Sequence, residues 1–223
     1  MANSADDGRK QRLSAAVTAL HLGLSEATQA KLIAYLALLQ RWNRVYNLTA
    51  LRDPDEMLSH HLLDCLAVLP ALRRHAAAVG RPSLHILDVG SGGGLPGVVL
   101  AAVQPEWQVS CVDTVGKKAT FVRQVAAELR LRNLRGLHAR VETLRPADGQ
   151  YDVITSRAFA SLADFTALSA CVLAPHGVWM AMKGRLPADE QAALPAGVQV
   201  FHVEQLQVPG LDAQRCLVWL RAA

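Results

Sequence analysis

Short apolar segments alternate with helical segments along most of this chain, and this alternation constrains its fold more than any other feature. Strands are predicted at 84–89, 107–112, 134–139, 151–155, 176–182, 198–206 and 215–221. Helices are predicted between them near 95–104, 115–131, 161–171 and 187–193. The alternation is typical of a doubly wound α/β fold with a mostly parallel sheet. Only residues 209–212 and their neighbours separate the last two strands, which predicts a C-terminal antiparallel hairpin.

The first 80 residues have a helical pattern instead. Residues 1–12 are polar and predicted to be frayed, and three helices are predicted to follow at 13–22, 26–42 and 53–69. Asp53 can cap the third of these helices, and Pro54 suits its first position. The sequence therefore predicts an N-terminal helical extension over 1–80 and an α/β domain over 81–223.

Composition and charge exclude several classes of protein. With 223 residues and 51% hydrophobic residues, the chain is not intrinsically disordered. No apolar run approaches the ~18–20 residues of a membrane helix, and we identify no signal peptide, so a cytoplasmic protein without membrane contact is expected. The four cysteines lack metal-ligand spacing, so no metal is expected. No apolar stripe is left unassigned, which favours a monomer.

A glycine-rich segment, residues 86–97, joins the first predicted strand of the α/β domain to its helix. Gly92-x-Gly94-x-x-Gly97, with Asp113 about 20 residues further on, satisfies the fingerprint of dinucleotide-binding proteins. Counted from Asp88, the pattern Asp-x-Gly-x-Gly-x-Gly is similar to the S-adenosylmethionine (AdoMet) loop of class I methyltransferases. In that loop the first acid helps to orient the cofactor's amino-acid part and the second, here Asp113, takes the ribose hydroxyls.

Three observations favour AdoMet over a dinucleotide. Pro96 would stand where phosphate-facing amides are needed, and proline has no N–H. No second domain follows for the substrate of a dehydrogenase. A terminal hairpin is what a class I, Rossmann-like methyltransferase sheet ends with. From the loop alone, a dinucleotide-dependent oxidoreductase remains the alternative. For the chain as a whole, a non-catalytic AdoMet- or nucleotide-binding module that docks on RNA is another.

Two further segments should lie at the carboxyl edge of the sheet, where ligands bind in open α/β folds. Arg157 follows the fourth predicted strand, where it could contact a ligand or pair with Asp88 or Glu142. Val141 and Glu142 follow the third strand, where a backbone N–H could contact an adenine ring. The window 117–145 holds eight basic and two acidic residues, a net charge of +6, which favours a polyanionic partner.

Together these segments resemble the bacterial small-subunit rRNA (guanine-N7) methyltransferase family, also called glucose-inhibited division protein B. The resemblance covers roughly residues 22–221. It depends on the stretches 39–43, 46–49, 52–57, 61–64, 88–97, 113–118, 121–123, 156–160 and 182–184. This chain has His60-His61 where Arg-His is usual in the family, and Asp64-Cys65 where Asp-Ser is usual.

The resemblance implies AdoMet-dependent methylation of guanine N7 in the 530 loop of 16S rRNA. The product made from AdoMet would be S-adenosyl-L-homocysteine, and the partner would be 16S rRNA or the 30S subunit. AdoMet-contacting positions of the family correspond here to Gly90, Leu95, Val141, Glu142 and Arg157. With the motif residues, the predicted cofactor site is Asp88, Gly90, Gly92, Gly94, Leu95, Asp113, Val141, Glu142 and Arg157. A class I methyltransferase acting on another RNA, or on a substrate that is not RNA, is the alternative.

Guanine N7 carries a lone pair and no proton, so no catalytic general base is expected. Cations that could hold RNA phosphates are Lys117, Lys118, Arg123, Arg157, Lys183 and Arg185. Thr49 and Asn47 are possible polar contacts to the site. His61 and Asp64 could pack the helix or form a wall of a guanine pocket, and Trp42 and Tyr46 could pack in the core or stack on a base.

Overall fold

A seven-stranded sheet forms the centre of the fold. The computed structural model describes residues 2–157, 159, 161–185 and 188–223. The strands are β1 (His85–Val89), β2 (Gln108–Asp113), β3 (Leu134–His138), β4 (Tyr151–Ser156), β5 (Leu173–Lys183), β6 (Val198–Leu206) and β7 (Arg215–Ala222). Their order is β3-β2-β1-β4-β5-β7-β6, with β1 to β5 parallel and β7 antiparallel to both neighbours. The predicted parallel sheet and C-terminal hairpin are both confirmed.

Most described helices overlap predicted ones, but the first begins before the predicted 13–22, and the helix Leu69–Ala78 lies beyond the predicted end at 69. The described helices are α1 (Ala2–Ala19), α2 (Glu26–Tyr46), α3 (Pro54–Met57), α4 (Asp64–Leu66), α5 (Leu69–Ala78), α6 (Gly97–Val103), α7 (Gly116–Glu128), α8 (Leu162–Ser169) and α9 (Ala188–Ala192). A π-helical turn, Leu58–Leu63, joins α3 to α4 and interrupts the helix predicted over 53–69. Position 187 of the last predicted helix, and Ala158 and Ala160 of the segment 156–160, lie outside the described residues.

The first helix begins at Ala2, so the prediction that residues 1–12 are frayed is wrong from Ala2 onward. Lys10 Nζ lies 3.1 Å from Asp6 Oδ2, one turn earlier in the helix. Arg12 reaches across to the third helical segment, where Nη2 donates to Ser59 Oγ at 2.7 Å and Nη1 lies 3.3 Å from Asp55 Oδ1. Polar side chains thus stabilise the start of the first helix, which has little apolar surface of its own.

The two faces of the sheet are covered by different helices. On one face the N-terminal helices share a core with α6 and α7, to which Leu13, Leu39 and Ile86 all contribute. On the other face a second core contains Leu87 of β1 and Phe165 of α8. Because residues of the N-terminal extension are buried in the first of these cores, the extension forms a helical cap on the α/β region. The division at residue 80 stays a prediction.

The carboxyl ends of β1, β2 and β4 meet at one edge of the sheet. Asp88 of β1 lies level with Cys111 of β2 on one side and Thr155 of β4 on the other. The order of strands reverses at this point, since β2 and β3 continue to one side of β1 and β4 and β5 to the other. A crevice at such a switch point is where open α/β sheets bind ligands.

Candidate active site

The glycine-rich loop after β1 turns sharply beneath the edge of the sheet. Gly90 and Gly92 have φ angles of +68° and +57°, a region that L side chains rarely adopt. The backbone N–H of Gly90 donates to Val112 O at 2.9 Å, which ties the loop to the end of β2. A Cβ at Gly97 would overlap Cys111 Sγ, so this glycine allows α6 to pack directly on β2.

Asp88 is a fully buried carboxylate that holds the start of α6. Its Oδ2 accepts a hydrogen bond from the N–H of Gly97 at 2.8 Å, and its Oδ1 has no partner among the described residues. Burial raises the pKa of this carboxyl to about 7. The carboxylate of Asp88 accepts from the first backbone N–H of α6. A pyrophosphate could bind this N–H only by displacing the carboxylate, which disfavours the dinucleotide alternative.

Asp113, at the end of β2, fixes two backbone segments at once. Its Oδ2 accepts from Gly92 N at 3.0 Å and its Oδ1 from Val115 N at 2.9 Å. Lys118 Nζ lies 3.7 Å from the same carboxylate. The carboxylate therefore joins the glycine loop to the segment that begins α7.

A cavity of about 300 Å³ opens beside this carboxylate, and its lining includes four residues predicted to contact the cofactor: Gly90, Asp113, Val141 and Glu142. The rest of its lining is Val89, Val112, Thr114, Ala139, Arg140, Phe159 and Leu168. Most of these groups are apolar, which suits a flat aromatic ring, while Asp113 and Glu142 supply acceptors. A hydrogen bond from Arg140 Nε to Glu142 Oε1, 2.6 Å long, lowers the pKa of Glu142.

The other predicted cofactor residues lie outside the lining of this cavity. Asp88 and Leu95 are buried behind the loop, and Gly92 and Gly94 shape the loop through positive φ angles. Arg157 contacts the helical cap instead. The resemblance to the AdoMet loop implies a direct part for Asp88 in orienting the cofactor, whereas its complete burial and its bond to Gly97 N favour an indirect role.

Arg157 joins the end of β4 to the helical cap. Its Nη1 donates to His60 O at 2.9 Å and lies 3.6 Å from Asp64 Oδ2, and both terminal nitrogens lie 3.2 Å from His61 Nδ1. Asp64 also accepts from Arg215 Nε of β7 at 2.9 Å. The suggested pairs of Arg157 with Asp88 or Glu142 are not among the ion pairs of the described residues, because Asp64 holds the guanidinium.

The predicted phosphate-binding cations are not all equally available. Lys117 is exposed in the first turn of α7 and Arg185 is exposed after β5. Lys183 forms an ion pair with Glu190 at 2.8 Å, and Arg123 donates from Nε to Gly136 O at 2.9 Å on the outer strand β3. The structure therefore places Lys118 beside a carboxylate that lines the cavity, with Lys117 next to it in the first turn of α7. Lys183 instead contacts an acid, Glu190, that the sequence pattern does not identify.

The helical cap contacts the glycine loop through residues that sequence reasoning treated as packing. Tyr35 lies on the predicted apolar face of α2, yet its hydroxyl donates to Gly93 O at 2.7 Å. A buried tyrosine needs a hydrogen-bond partner for its hydroxyl, so a tyrosine on a predicted apolar face indicates a polar contact in the core. Trp42 packs against Phe121 with ring centroids 5.4 Å apart, as the core alternative predicted, whereas Tyr46 is exposed.

Metal sites and membrane-spanning helices are both absent from the described residues. Within that part of the chain, no group of three His, Cys, Asp or Glu side chains could hold a metal ion. The helices in the same residues are too short or too polar to cross a membrane.

Known structures share this fold. TrmN from Thermus thermophilus is 25% identical and superposes with a TM-score of 0.56 over 74% of this chain and 53% of that chain. A SAM-dependent methyltransferase from Aquifex aeolicus has a TM-score of 0.54 over 84% of this chain and 98% of that chain, at 16% identity. At such identities the likeness to the second protein shows the fold alone.

Sequence comparison identifies the family. The ribosomal RNA small subunit methyltransferase G of Acidovorax sp. (strain JS42) is 65% identical over 208 residues, which is 91% of each chain. The family model GidB, described as rRNA small subunit methyltransferase G, matches residues 28–218. This chain therefore belongs to the GidB family of rRNA small subunit methyltransferases.

Proposed function

We propose that this chain transfers the methyl group of AdoMet to N7 of a guanine in the 530 loop of 16S rRNA, which yields 7-methylguanosine. The observation that carries the proposal is the cavity at the ends of β1 and β2, which four residues at predicted cofactor positions line. Membership of the GidB family supports the same reaction.

The residues of the cavity fit AdoMet. Gly90 brings main chain to its wall, Asp113 can accept hydrogen bonds from ribose hydroxyls, and apolar groups such as Val112 can cover an adenine ring. Val141 and Glu142 stand where backbone and carboxylate can meet the edge of that ring. Gly92, Gly94 and Leu95 hold the loop, and Asp88 supports it through Gly97.

The protein contributes to this reaction mainly by positioning the reactants, and less by transferring protons. AdoMet, when bound, supplies an electrophilic methyl group whose bond to sulfur breaks as the new bond to nitrogen forms. Because guanine N7 has a free lone pair, no side chain has to remove a proton before the reaction. The glycine loop, the cap and Arg157 can hold the base in line, and alignment alone accounts for several kcal/mol of a barrier.

The RNA would meet cations around the crevice, with Lys117 and Lys118 at its rim and Arg123, Arg157, Lys183 and Arg185 further round. Arg157 and Lys183 are engaged with acids in this structure, so we assign the first phosphate contacts to Lys117 and Lys118. We further propose that the enzyme acts as a monomer in the bacterial cytoplasm on 16S rRNA or the 30S subunit.

Transfer of tritium from labelled AdoMet tests the proposal. The substrates are 30S subunits and free 16S rRNA from a strain that lacks the modification. We expect the labelled methyl group to enter this rRNA and not rRNA that already carries the modification. Calorimetric titration should give binding of AdoMet and none of NAD. Label in protein or in small molecules, with none in rRNA, would move the substrate to another class.

A further inference from the structure

The hydroxyl of Thr49 accepts two hydrogen bonds and keeps its own proton. Leu51 N donates to Thr49 Oγ1 at 3.3 Å, and His61 Nε2 lies 2.7 Å from the same oxygen. No acceptor for the hydroxyl proton occurs among the described residues, and the side chain is partly exposed. The direction of the contact with His61 decides whether this proton is available.

Arg157 fixes that direction. Its two terminal nitrogens carry permanent protons and approach His61 Nδ1 at 3.2 Å, so a proton on Nδ1 would face two N–H groups of a cation. His60 O also lies 3.2 Å from Nδ1, but this carbonyl already accepts from Arg157 Nη1 at 2.9 Å, so Nδ1 accepts from Arg157. A neutral imidazole that accepts at Nδ1 carries its proton at Nε2, and this proton can only be donated to Thr49 Oγ1. His61 is neutral because burial and the charge of Arg157 lower its pKa to about 4. Both lone pairs of the hydroxyl oxygen are then in use.

Thr49 lies between the two parts of the protein that meet at the crevice. The preceding carbonyl, Leu48 O, is 3.9 Å from the position of a Cβ on Gly92 in the glycine loop. Its partner His61 is held by Arg157 at the end of β4. Asn43 braces the segment, since its Oδ1 accepts from Thr49 N at 2.9 Å and its Nδ2 donates to Leu51 O at 2.8 Å.

We infer that Thr49 is a specificity-determining residue whose hydroxyl donates to O6 of the target guanine. This inference rests on the proposed function. Guanine presents N7 and O6 as neighbouring acceptors on one edge, whereas adenine presents an amino group in place of O6. A hydroxyl that can only donate therefore favours binding of guanine over adenine. When it donates to O6, it leaves the N7 lone pair free.

Base analogues in the target position test this inference. Reconstituted 30S subunits would carry guanosine or 2-aminopurine riboside there; the second keeps N7 and lacks O6. Wild-type protein should methylate guanosine with kcat/KM about 10- to 100-fold higher than 2-aminopurine. Thr49→Val should lose about that factor on guanosine and almost nothing further on 2-aminopurine. Thr49→Ser, which keeps the hydroxyl, should remain near the wild type on both.

Several outcomes would overturn the inference. Equal losses by Thr49→Val on both RNAs would mean that the residue only supports the loop, and no loss would mean that it does not touch the base. Wild-type protein that does not discriminate between the two RNAs would exclude a contact with O6 even if the valine variant did not fold. Wild-type protein that methylates neither RNA would refute the proposed function itself, and the inference with it.

Discussion

Two aspartates at the carboxyl ends of neighbouring strands, Asp88 before the last residue of β1 and Asp113 at the end of β2, have very different surroundings. Asp88 is completely buried, and its Oδ2 accepts from Gly97 N at 2.8 Å and from Cys111 Sγ at 3.9 Å. Asp113 accepts from two backbone amides and lines the cavity. At the scale of single residues, this difference leads us to propose that Asp88 supports the loop and that Asp113 contacts the cofactor.

Replacing Asp113 with asparagine should weaken AdoMet binding by about 10- to 100-fold, because the ribose and both backbone amides lose a charged acceptor and one amide then faces an NH₂ group. Affinity for RNA should stay near that of the wild type. Calorimetry with AdoMet and filter binding with 16S rRNA measure the two quantities. Glu106→Gln, at an exposed acid before β2, is the matched control; equal weakening by both variants would contradict the assignment.

The buried carboxyl of Asp88 should give stability a particular pH dependence. Its pKa is raised from 3.8 to about 7, so the folded chain binds this proton more tightly than the unfolded chain. The stability that it contributes is present below pH 4 and is lost as the pH rises towards 7. Asp88→Asn should lack this loss.

Urea unfolding between pH 4.5 and 7.5 measures the effect. The free energy of unfolding of the Asp88→Asn variant should rise with pH relative to that of the wild type. The same change at the exposed Asp212 should run parallel to the wild type. A constant difference between Asp88→Asn and wild type over this range would show that Asp88 is already ionised at low pH.

At the scale of elements, a buried ion cluster connects three parts of the fold. Asp64 of the cap is bound by Arg215 of β7 and Arg157 after β4. Burial raises the pKa of Asp64, and the two arginines oppose the rise. The cluster holds the cap on the carboxyl edge of the sheet, where Arg157 also contacts His61 of the cap.

Arg215→Met should therefore destabilise the protein by about 2–4 kcal/mol, because it leaves the buried Asp64 with a single, longer ion pair. Arg221→Met, on the same strand but exposed and stacked on Phe201, should cost less than about 1 kcal/mol. Chemical denaturation at pH 7 compares them. Similar losses in the two variants would mean that the cluster contributes no more than a surface contact.

The sequence predicted the strands within a few residues because each is a short apolar segment bounded by turn residues. It also identified the glycine loop, whose positive φ angles require glycine at positions 90 and 92. Spacing could not reveal the Arg215–Asp64 bond, which joins residues 151 positions apart, or the contact of Tyr35 with Gly93. Such pairs depend on how the cap sits on the sheet, which local patterns do not encode.

At the scale of the whole molecule, positive charge is concentrated rather than spread. The net charge is +4, while the window 117–145 alone carries +6. Lys117 is exposed in the first turn of α7, next to Lys118, whose Nζ lies 3.7 Å from Asp113 in the cavity lining. Arg132 is exposed just before β3, at the amino ends of the parallel strands. Phosphate contacts should accordingly be strongest near the crevice.

Lys117→Ala should weaken RNA binding. It should also make the negative slope of log K against log salt less steep by about 0.7–0.9, the value for one phosphate contact. Arg132→Ala removes one exposed positive charge from the far edge and should leave the slope unchanged. Filter binding over a range of salt concentrations measures both. Equal slopes for the two variants would contradict the prediction that RNA phosphates contact Lys117 and not Arg132.

Mapping the methylated atom tests the central claim most directly. 30S subunits or 16S rRNA treated with the enzyme and AdoMet would be exposed to borohydride and aniline, which cleave RNA at 7-methylguanosine. We predict one new cleavage, in the 530 loop, which disappears without AdoMet. Methyl incorporation without cleavage, or cleavage elsewhere in the rRNA, would contradict the account.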